Sequence, residues 1–341
     1  MKNGVWHSIW AAPISLIYRH IVWWRNMLYD EHILPSTRVP VPTIGVGNLA
    51  VGGTGKTPMI EYLVRLLSPS YKVAVLSRGY GRKTRGFVMA DRNSDASTIG
   101  DEMMQMHLKF PDIPMAVCAN RVQGVKQLHL MHPEVQLVLL DDVFQHRSIH
   151  CDMYILLTPY ERLYQHDHLL PWGRLREPAS EALRAQVVVV TKCPDSMKPI
   201  DKRVVANHLR LAAFQSLFFS HIRYEPVNVP DKPLVVTGIA HADYLFDYIR
   251  SKAPEADQLV YPDHHNYSKK DIARIAATAE HYDAVITTEK DASRFGRLAL
   301  PESLRAKMVS QAIYPDFRED EAEFNRKIKA FVAEQIRHAG L

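Results

Sequence analysis

The sequence predicts an α/β fold: a mostly parallel sheet with helices on both faces, a smaller C-terminal α/β domain, and an N-terminal membrane-interface helix. Short apolar runs of strand length alternate with helical patterns along residues 43–224, the signature of parallel strands joined by crossover helices. The first of these runs leads through a glycine-rich turn straight into a helix. A second, shorter α/β series follows the stretch at 225–232, where Pro226, Pro230 and Pro233 mark a linker. The expected parts are a membrane-associating segment (1–29), a larger domain (30–224), a smaller domain (225–315) and a closing amphipathic helix (316–341).

Residues 5–29 hold Trp6, Trp10, Trp23 and Trp24, four of the five tryptophans in the chain, among Ile9, Ile14, Leu16, Ile17, Ile21 and Val22. Pro13 interrupts the run, and Arg19, His20 and Arg25 charge it. A spanning helix needs roughly 20 mostly uncharged residues, which these charges break. No small-residue cleavage site follows a compact apolar core, which argues against a signal peptide. An amphipathic helix lying in the headgroup layer fits better, with Lys2, Arg19 and Arg25 toward anionic lipid. The competing reading is an ordinary helix packed on the protein's own core.

Residues 43–67 carry the clearest chemistry. An apolar run, a glycine-rich turn, and Ile60, Leu63, Val64 and Leu67 at helical spacing give strand, loop and helix in the order a phosphate-binding loop requires. Gly52, Gly53 and Gly55 let backbone N–H groups turn inward around phosphate oxygens. The following helix aims its positive end at the same anion. The expected nucleotide cradle is Ala50, Val51, Gly52, Gly53, Thr54, Gly55, Lys56 and Thr57, with Lys56 reaching the β- and γ-phosphates and the Thr57 hydroxyl ligating Mg²⁺. Ala50 stands where the general pattern has its first glycine. A glycine-rich turn that binds nothing is the alternative, but Gly-Lys-Thr at a helix start after a strand is far more specific than scattered glycines.

The strand at 73–77 opens into a basic glycine loop with Arg78, Arg82, Lys83 and Arg85. Asp101 begins the next helix. The helix dipole alone favours a carboxylate there; the sharper reading is a general base at the mouth of the nucleotide site. Arg121 follows the strand at 115–119, in place to contact an anion. The strand at 137–140 ends in Asp141 and Asp142, with Gln145 just behind. An apolar strand closed by an acid is the second half of a phosphate-loop site, holding Mg²⁺ or its water at the carboxyl end of the sheet. After the strand at 187–191, Pro194 stands where guanine recognition would want an aspartate, which leaves adenine.

The smaller domain reads as strands at 234–237, 258–261, 284–288 and 308–313, and carries the motifs PDHHNYS (262–268) and TTEKDASRF (287–295). His264 and His265 could be metal ligands, yet adjacent residues rarely ligate one ion, and a hydrogen-bonded structural histidine is commoner. With 341 residues, 47% hydrophobic and 23% charged, the chain can bury a large core and is not disordered. A net charge of +5 suits anionic substrates or an anionic membrane surface and is too diffuse to argue for nucleic acid. Three scattered cysteines without a CxxC pair argue against disulfides or structural zinc, and for a reducing cytosol.

In order behind the tryptophan-rich start, GNLAVGGTGKTP, SRGYGR, GDEM, LLDDVFQHR, WGRLREP, VVVTKCP, YPDHHNYS and TTEKDASR together resemble the tetraacyldisaccharide 4'-kinases, a P-loop kinase family acting on the lipid A precursor. That family's loop also lacks the first glycine. The resemblance implies transfer of the ATP γ-phosphoryl group to the 4'-hydroxyl of a tetraacylated glucosamine disaccharide 1-phosphate, with Mg²⁺, at the cytoplasmic face of the bacterial inner membrane. It implies Asp101 as base with His264 as its partner, and Lys56 at the phosphates. Thr57, Asp141, Asp142, Gln145 and Glu177 would arrange metal and nucleotide, and Arg78, Arg121, Arg176 and Lys290 would contact anions. The partners implied are the acylated disaccharide phosphate and the membrane surface, with no nucleic acid and no protein partner. Two other classes stay open at this point: a nucleotide-switched membrane-associated module without lipid kinase activity, and a soluble small-molecule kinase.

Overall fold

The computed structural model describes residues 4–239, 242–263, 265–295 and 298–340. After helix α1 (Gly4–Asp30), the larger domain runs β1 (Thr43–Asn48), α2 (Lys56–Leu67), β2 (Val73–Ser77), β3 (Val88–Met89), α3 (Ala96–Ile99), α4 (Asp101–Lys109), β4 (Met115–Val117), α5 (Arg121–Met131), β5 (Leu137–Asp141), β6 (Met153–Pro159), β7 (Val187–Cys193), α6 (Pro199–Leu209) and β8 (Ser216–Tyr224). The smaller domain follows with β9 (Pro233–Thr237), α7 (Ala242–Lys252), β10 (Asp257–Val260), α8 (Lys269–Ala279), β11 (Ala284–Thr288), α9 (Glu289–Phe295), α10 (Glu302–Lys307) and β12 (Met308–Gln311). The chain then returns to the larger domain through β13 (Ile313–Asp316) and α11 (Glu321–Ala339).

The large sheet has the order β13-β8-β7-β6-β1-β5-β2-β4-β3. Its pairs are parallel except at the two edges, where β13 lies antiparallel to β8 and β3 to β4. Strand β1 sits between β5 and β6, where the chain stops adding strands on one side and crosses to the other. In open α/β sheets such a switch point leaves a crevice at the carboxyl ends of the strands. Its central strands are buried on both faces, and their side chains alternate between two cores. Ala74 and Leu76 face one, with α5 and α6; Val73 and Val75 face the other, with α2, α4 and α11.

Glycines at two β1 positions allow a close crossing. A Cβ on Gly45 would lie 2.5 Å from Val143 Cγ1, and one on Gly47 2.5 Å from Phe144 Cβ. The turn after β5 can therefore fold tightly across β1, which brings Asp142 to the glycine loop.

The four-stranded sheet, β10-β9-β11-β12, is parallel throughout. The stretch expected as one strand at 308–313 is split between the two sheets. Its first part pairs with β11, and residues 313–316 pair with β8. A boundary at 315 thus cuts through β13. At the crossing, the Glu225 N–H donates to the Ala312 carbonyl at 3.0 Å, so the outgoing and returning chains lie side by side. Strands β3 and β8 and helix α6 were not foreseen; the two residues of β3 are too few for a pattern.

Helix α11 belongs to the larger core. Phe324, Ile328, Val332 and Ile336 recur every four residues and are buried against α2 and the sheet, and Phe317 stacks on Phe324 with ring centroids 4.1 Å apart. Phe324→Ala is expected to cost about 3–5 kcal/mol through the cavity it leaves. Chemical denaturation should show this as loss of the larger domain, although Phe324 lies beyond the smaller one in sequence.

Candidate active site

Helix α2 starts from Gly55, whose φ of +91° favours glycine, and no side chain caps it. Gly52 is also left-handed, at +114°. An uncapped helix start behind such a loop aims its N–H groups at an anion. Asn48, buried at the end of β1, organises the loop. Its Nδ2 donates to the Ala50 carbonyl at 2.7 Å and to Thr54 Oγ1 at 2.9 Å. Its Oδ1 accepts from Arg176 and faces Lys56 Nζ at 3.5 Å. Thr191 Oγ1, at the end of β7, donates to the Thr54 carbonyl at 2.9 Å.

Asp141 and Asp142 reach the same place from β5 but meet opposite environments. Asp141 is buried; its Oδ2 accepts from Ser77 Oγ at 3.0 Å and its Oδ1 has no hydrogen-bond partner among the described residues. Burial, then the charges of Glu102 and Asp142, push its carboxyl up to about 7 against the pull of Lys56. Burial also works against ionisation of Asp142, but Lys56 and then Arg176 overcome it and hold that carboxyl well below the usual range. Arg176 grips Asp142 through both terminal nitrogens, at 2.9 and 3.2 Å, and Lys56 lies 3.5 Å away.

Beside this site lies a cleft of about 170 Å³ whose lining includes Gly79, Tyr80, Asp101 and Glu102 from the larger domain and Asn266 and Lys290 from the smaller. Asp101, in the first turn of α4, accepts from Arg294 Nε of α9 at 3.1 Å. Lys290 pairs with Glu102 at 3.3 Å. Further along the same two helices, Lys109 sits 2.6 Å from both Glu61 of α2 and Glu289 of α9. These pairs hold the smaller domain on the helix that presents Asp101. Ser77 also lines the cleft, so one hydrogen bond separates it from Asp141.

The sequence profile of the LpxK family, tetraacyldisaccharide-1-P 4'-kinases, matches residues 7–333. The chain belongs to the tetraacyldisaccharide 4'-kinase family. It is 41% identical over 360 residues to the tetraacyldisaccharide 4'-kinase of Bacteroides thetaiotaomicron, covering 97% of this chain and 94% of that one. It is 42% identical over 340 residues to that of Flavobacterium johnsoniae, covering 95% and 97%. Its fold is similar to the crystal structure of "apo" form LpxK from Aquifex aeolicus in complex with ATP, with a TM-score of 0.74, 26% identity, and 94% and 98% of the two chains covered.

Of the site residues expected of a kinase in this family, the structure gathers the loop at 50–57, Asp141, Asp142 and Arg176. Gln145 joins them through its Nε2, which donates to the Asn48 carbonyl at 2.8 Å. Glu177 is fully buried and each oxygen is taken by an arginine, Arg25 on one side and Arg184 on the other. Arg121 is buried beneath the acids and donates to the Cys118 carbonyl at 2.7 Å and the Asp141 carbonyl at 3.2 Å. Burial lowers it to about 10, with Asp141 and Asp142 acting against the fall. Arg78 is exposed at the end of β2, and Lys290 faces the cleft from α9. His264 lies outside the described residues. Its neighbour His265 bonds Asp271 at 3.2 Å and stacks on Tyr261, a structural role. Asn48, Ser77 and Arg294 went unassigned in the sequence; a polar residue closing an apolar strand was the available signal for the first two.

The Asp141 shift sets a pH dependence. In the nucleotide-free protein the folded state keeps a proton that the unfolded state has released between about pH 4 and 7, so this group costs stability as pH rises through that window and no more above it. Asp141→Asn removes the cost. Paired thermal melts should show the variant gaining on the order of 2 kcal/mol more at pH 8 than at pH 5; an equal gain at both would contradict the assignment.

Proposed function

We propose that the chain transfers the γ-phosphoryl group of ATP to the 4'-hydroxyl of a tetraacylated glucosamine disaccharide 1-phosphate, giving the bisphosphorylated lipid A precursor. The carrying observation is the shared edge: the phosphate loop and the Asp101 cleft meet at the carboxyl ends of β1, β2 and β5, joined through Ser77 and Asp141. A donor phosphate in the loop and an acceptor hydroxyl in the cleft then become neighbours, and positioning is most of what phosphoryl transfer asks.

In this reading the loop N–H groups and Lys56 hold the β- and γ-phosphates. Thr57, in the first turn of α2, and Asp141 would hold Mg²⁺, since Asp141 Oδ1 is a buried acceptor without a partner while Asp142 is engaged by Lys56 and Arg176. When bound, the metal would neutralise charge on the phosphate oxygens. Asp101, oriented by Arg294, accepts the hydroxyl proton with His264 as its partner. Arg78 and Lys290 supply positive charge for the acceptor's 1-phosphate.

We place the chain at the cytoplasmic face of the inner membrane; the exposed apolar face of α1 supports the bilayer location. Ile14, Ile17, Ile21 and Trp24 are exposed at helical spacing, while Ser15, Val22 and Asn26 are buried on the opposite face. The usual pattern of a surface helix is inverted, as an interfacial helix requires. No described helix is long and apolar enough to cross a membrane.

Mass spectrometry of the disaccharide lipid after incubation with the protein, ATP and Mg²⁺ should reveal one added phosphate. Lys56→Ala should slow its formation by ~10²-fold or more. An unphosphorylated lipid with the wild-type protein would end the proposal in favour of a nucleotide-switched module. Asp101→Ala should lower kcat by ~10²- to 10⁴-fold while leaving ATP affinity nearly unchanged. Comparable losses in both would make Asp101 a structural carboxylate.

A further inference from the structure

Residues 168–177 form a strap between α1 and the phosphate loop. Its inner edge is bonded to the loop by backbone: Val51 N–H donates to the Arg174 carbonyl at 2.8 Å, Arg176 N–H to the Leu49 carbonyl at 2.7 Å, and Ala50 bridges Leu175. Its outer edge is bonded to α1 by side chains. Ser15 Oγ donates to the Leu169 carbonyl at 2.9 Å, the Tyr18 hydroxyl to the Arg176 carbonyl at 2.8 Å, and Arg25 to Glu177.

Glu177 is the fixed point of the strap. Arg184, which takes its other oxygen, also donates to the Phe144 carbonyl at 2.8 Å and lies over the Phe144 ring at 4.2 Å. Phe144 sits in the turn that carries Asp142 across Gly47. One buried carboxylate thus joins the N-terminal helix, the acidic turn and the residue next to Arg176. A buried carboxylate between two guanidinium groups is strongly placed, because any movement that breaks a pair leaves charge unmatched.

We infer that Arg25 and Glu177 are positioning residues for the nucleotide: through the strap they hold Arg176 and the backbone of residues 49–51 in the geometry that grips phosphate. This rests on the reading of the loop as an ATP site. Neither residue touches the phosphates; each acts through Arg176 and the loop backbone. The N-terminal helix is therefore part of the nucleotide site as well as its anchor.

Arg25 is the residue to change, since its side chain is 38% exposed and Arg184 stays on Glu177 when it is gone. Titration calorimetry of the full-length chain with Mg·ATP should show Arg25→Met weakening binding by about tenfold and Arg25→Lys recovering to within about threefold of wild type. The melting temperature should fall by at most a few degrees in Arg25→Met, where Arg184 still pairs with Glu177, and stay at the wild-type value in Arg25→Lys; co-sedimentation with phosphatidylethanolamine–phosphatidylglycerol vesicles should stay at the wild-type value in both, because the structure turns Arg25 onto Glu177 and not toward lipid as its place in the sequence suggested. Tyr18→Phe, which removes one hydroxyl from the same strap, should weaken ATP by about threefold and decides the matter if Arg25→Met does not fold. Wild-type affinity in Arg25→Met, or in Tyr18→Phe where only that variant folds, would overturn the inference. So would a weakening that tracks a fall in melting temperature and is not recovered by lysine. If the wild-type chain itself bound no ATP, the nucleotide reading would fail first and take this inference with it.

Discussion

The side chain of Asn48 is the constraint on which the phosphate site depends. It closes β1 inside the protein, where an amide must find partners, and the partners it finds are Ala50 and Thr54 of the loop together with Arg176 and Lys56. Its backbone carbonyl accepts from Gln145 at 2.8 Å. A buried amide with fixed donors and acceptors can be satisfied in few ways, so satisfying this one sets the loop, the lysine and the arginine together. Glycine alone would leave the loop free to take many shapes; Asn48 selects one.

Around that point the sheet decides what else can be near. Because β1 lies between β5 and β6, the carboxyl end of β5 delivers two consecutive acids beside the glycine loop. They divide between two tasks by environment alone. Asp142, 30% exposed and held by two cations, stays ionised and keeps Lys56 in place. Asp141 is buried, loses most of its hydration, and retains one oxygen with no partner among the described residues. A group that pays for burial without a partner for that oxygen is suited to meeting a charged ligand, which offsets the cost.

The smaller domain is inserted within the larger one rather than appended to it. Both of its connections pass the same point, where Glu225 meets Ala312, and α9 lies on α4 through ion pairs at Asp101, Glu102 and Lys109. Movement of the smaller domain would be felt first at Asp101, whose carboxylate is held by Arg294 from across the boundary. The C-terminal helix then closes the core beneath α2, so the helix that begins at the phosphate loop is packed by the last residues of the chain.

Local pattern was enough to determine the α/β class, the strand-loop-helix at 43–67 and the acids ending β5. Each depends on residues within a few positions of one another, where spacing and side-chain chemistry act directly. Other features were decided only when distant segments met. Arg121 and Glu177 look alike, as charged residues beside motif positions, yet burial turned one into a brace for carbonyls and the other into a tie between two arginines. The run at 308–313 reads locally as one strand, and the free edges of two sheets divided it at Ala312. Arg294, anonymous in its own helix, gained its place from Asp101, 193 residues earlier. Charge pairing and edge pairing are properties of two partners at once, and a linear sequence shows only one of them at a time.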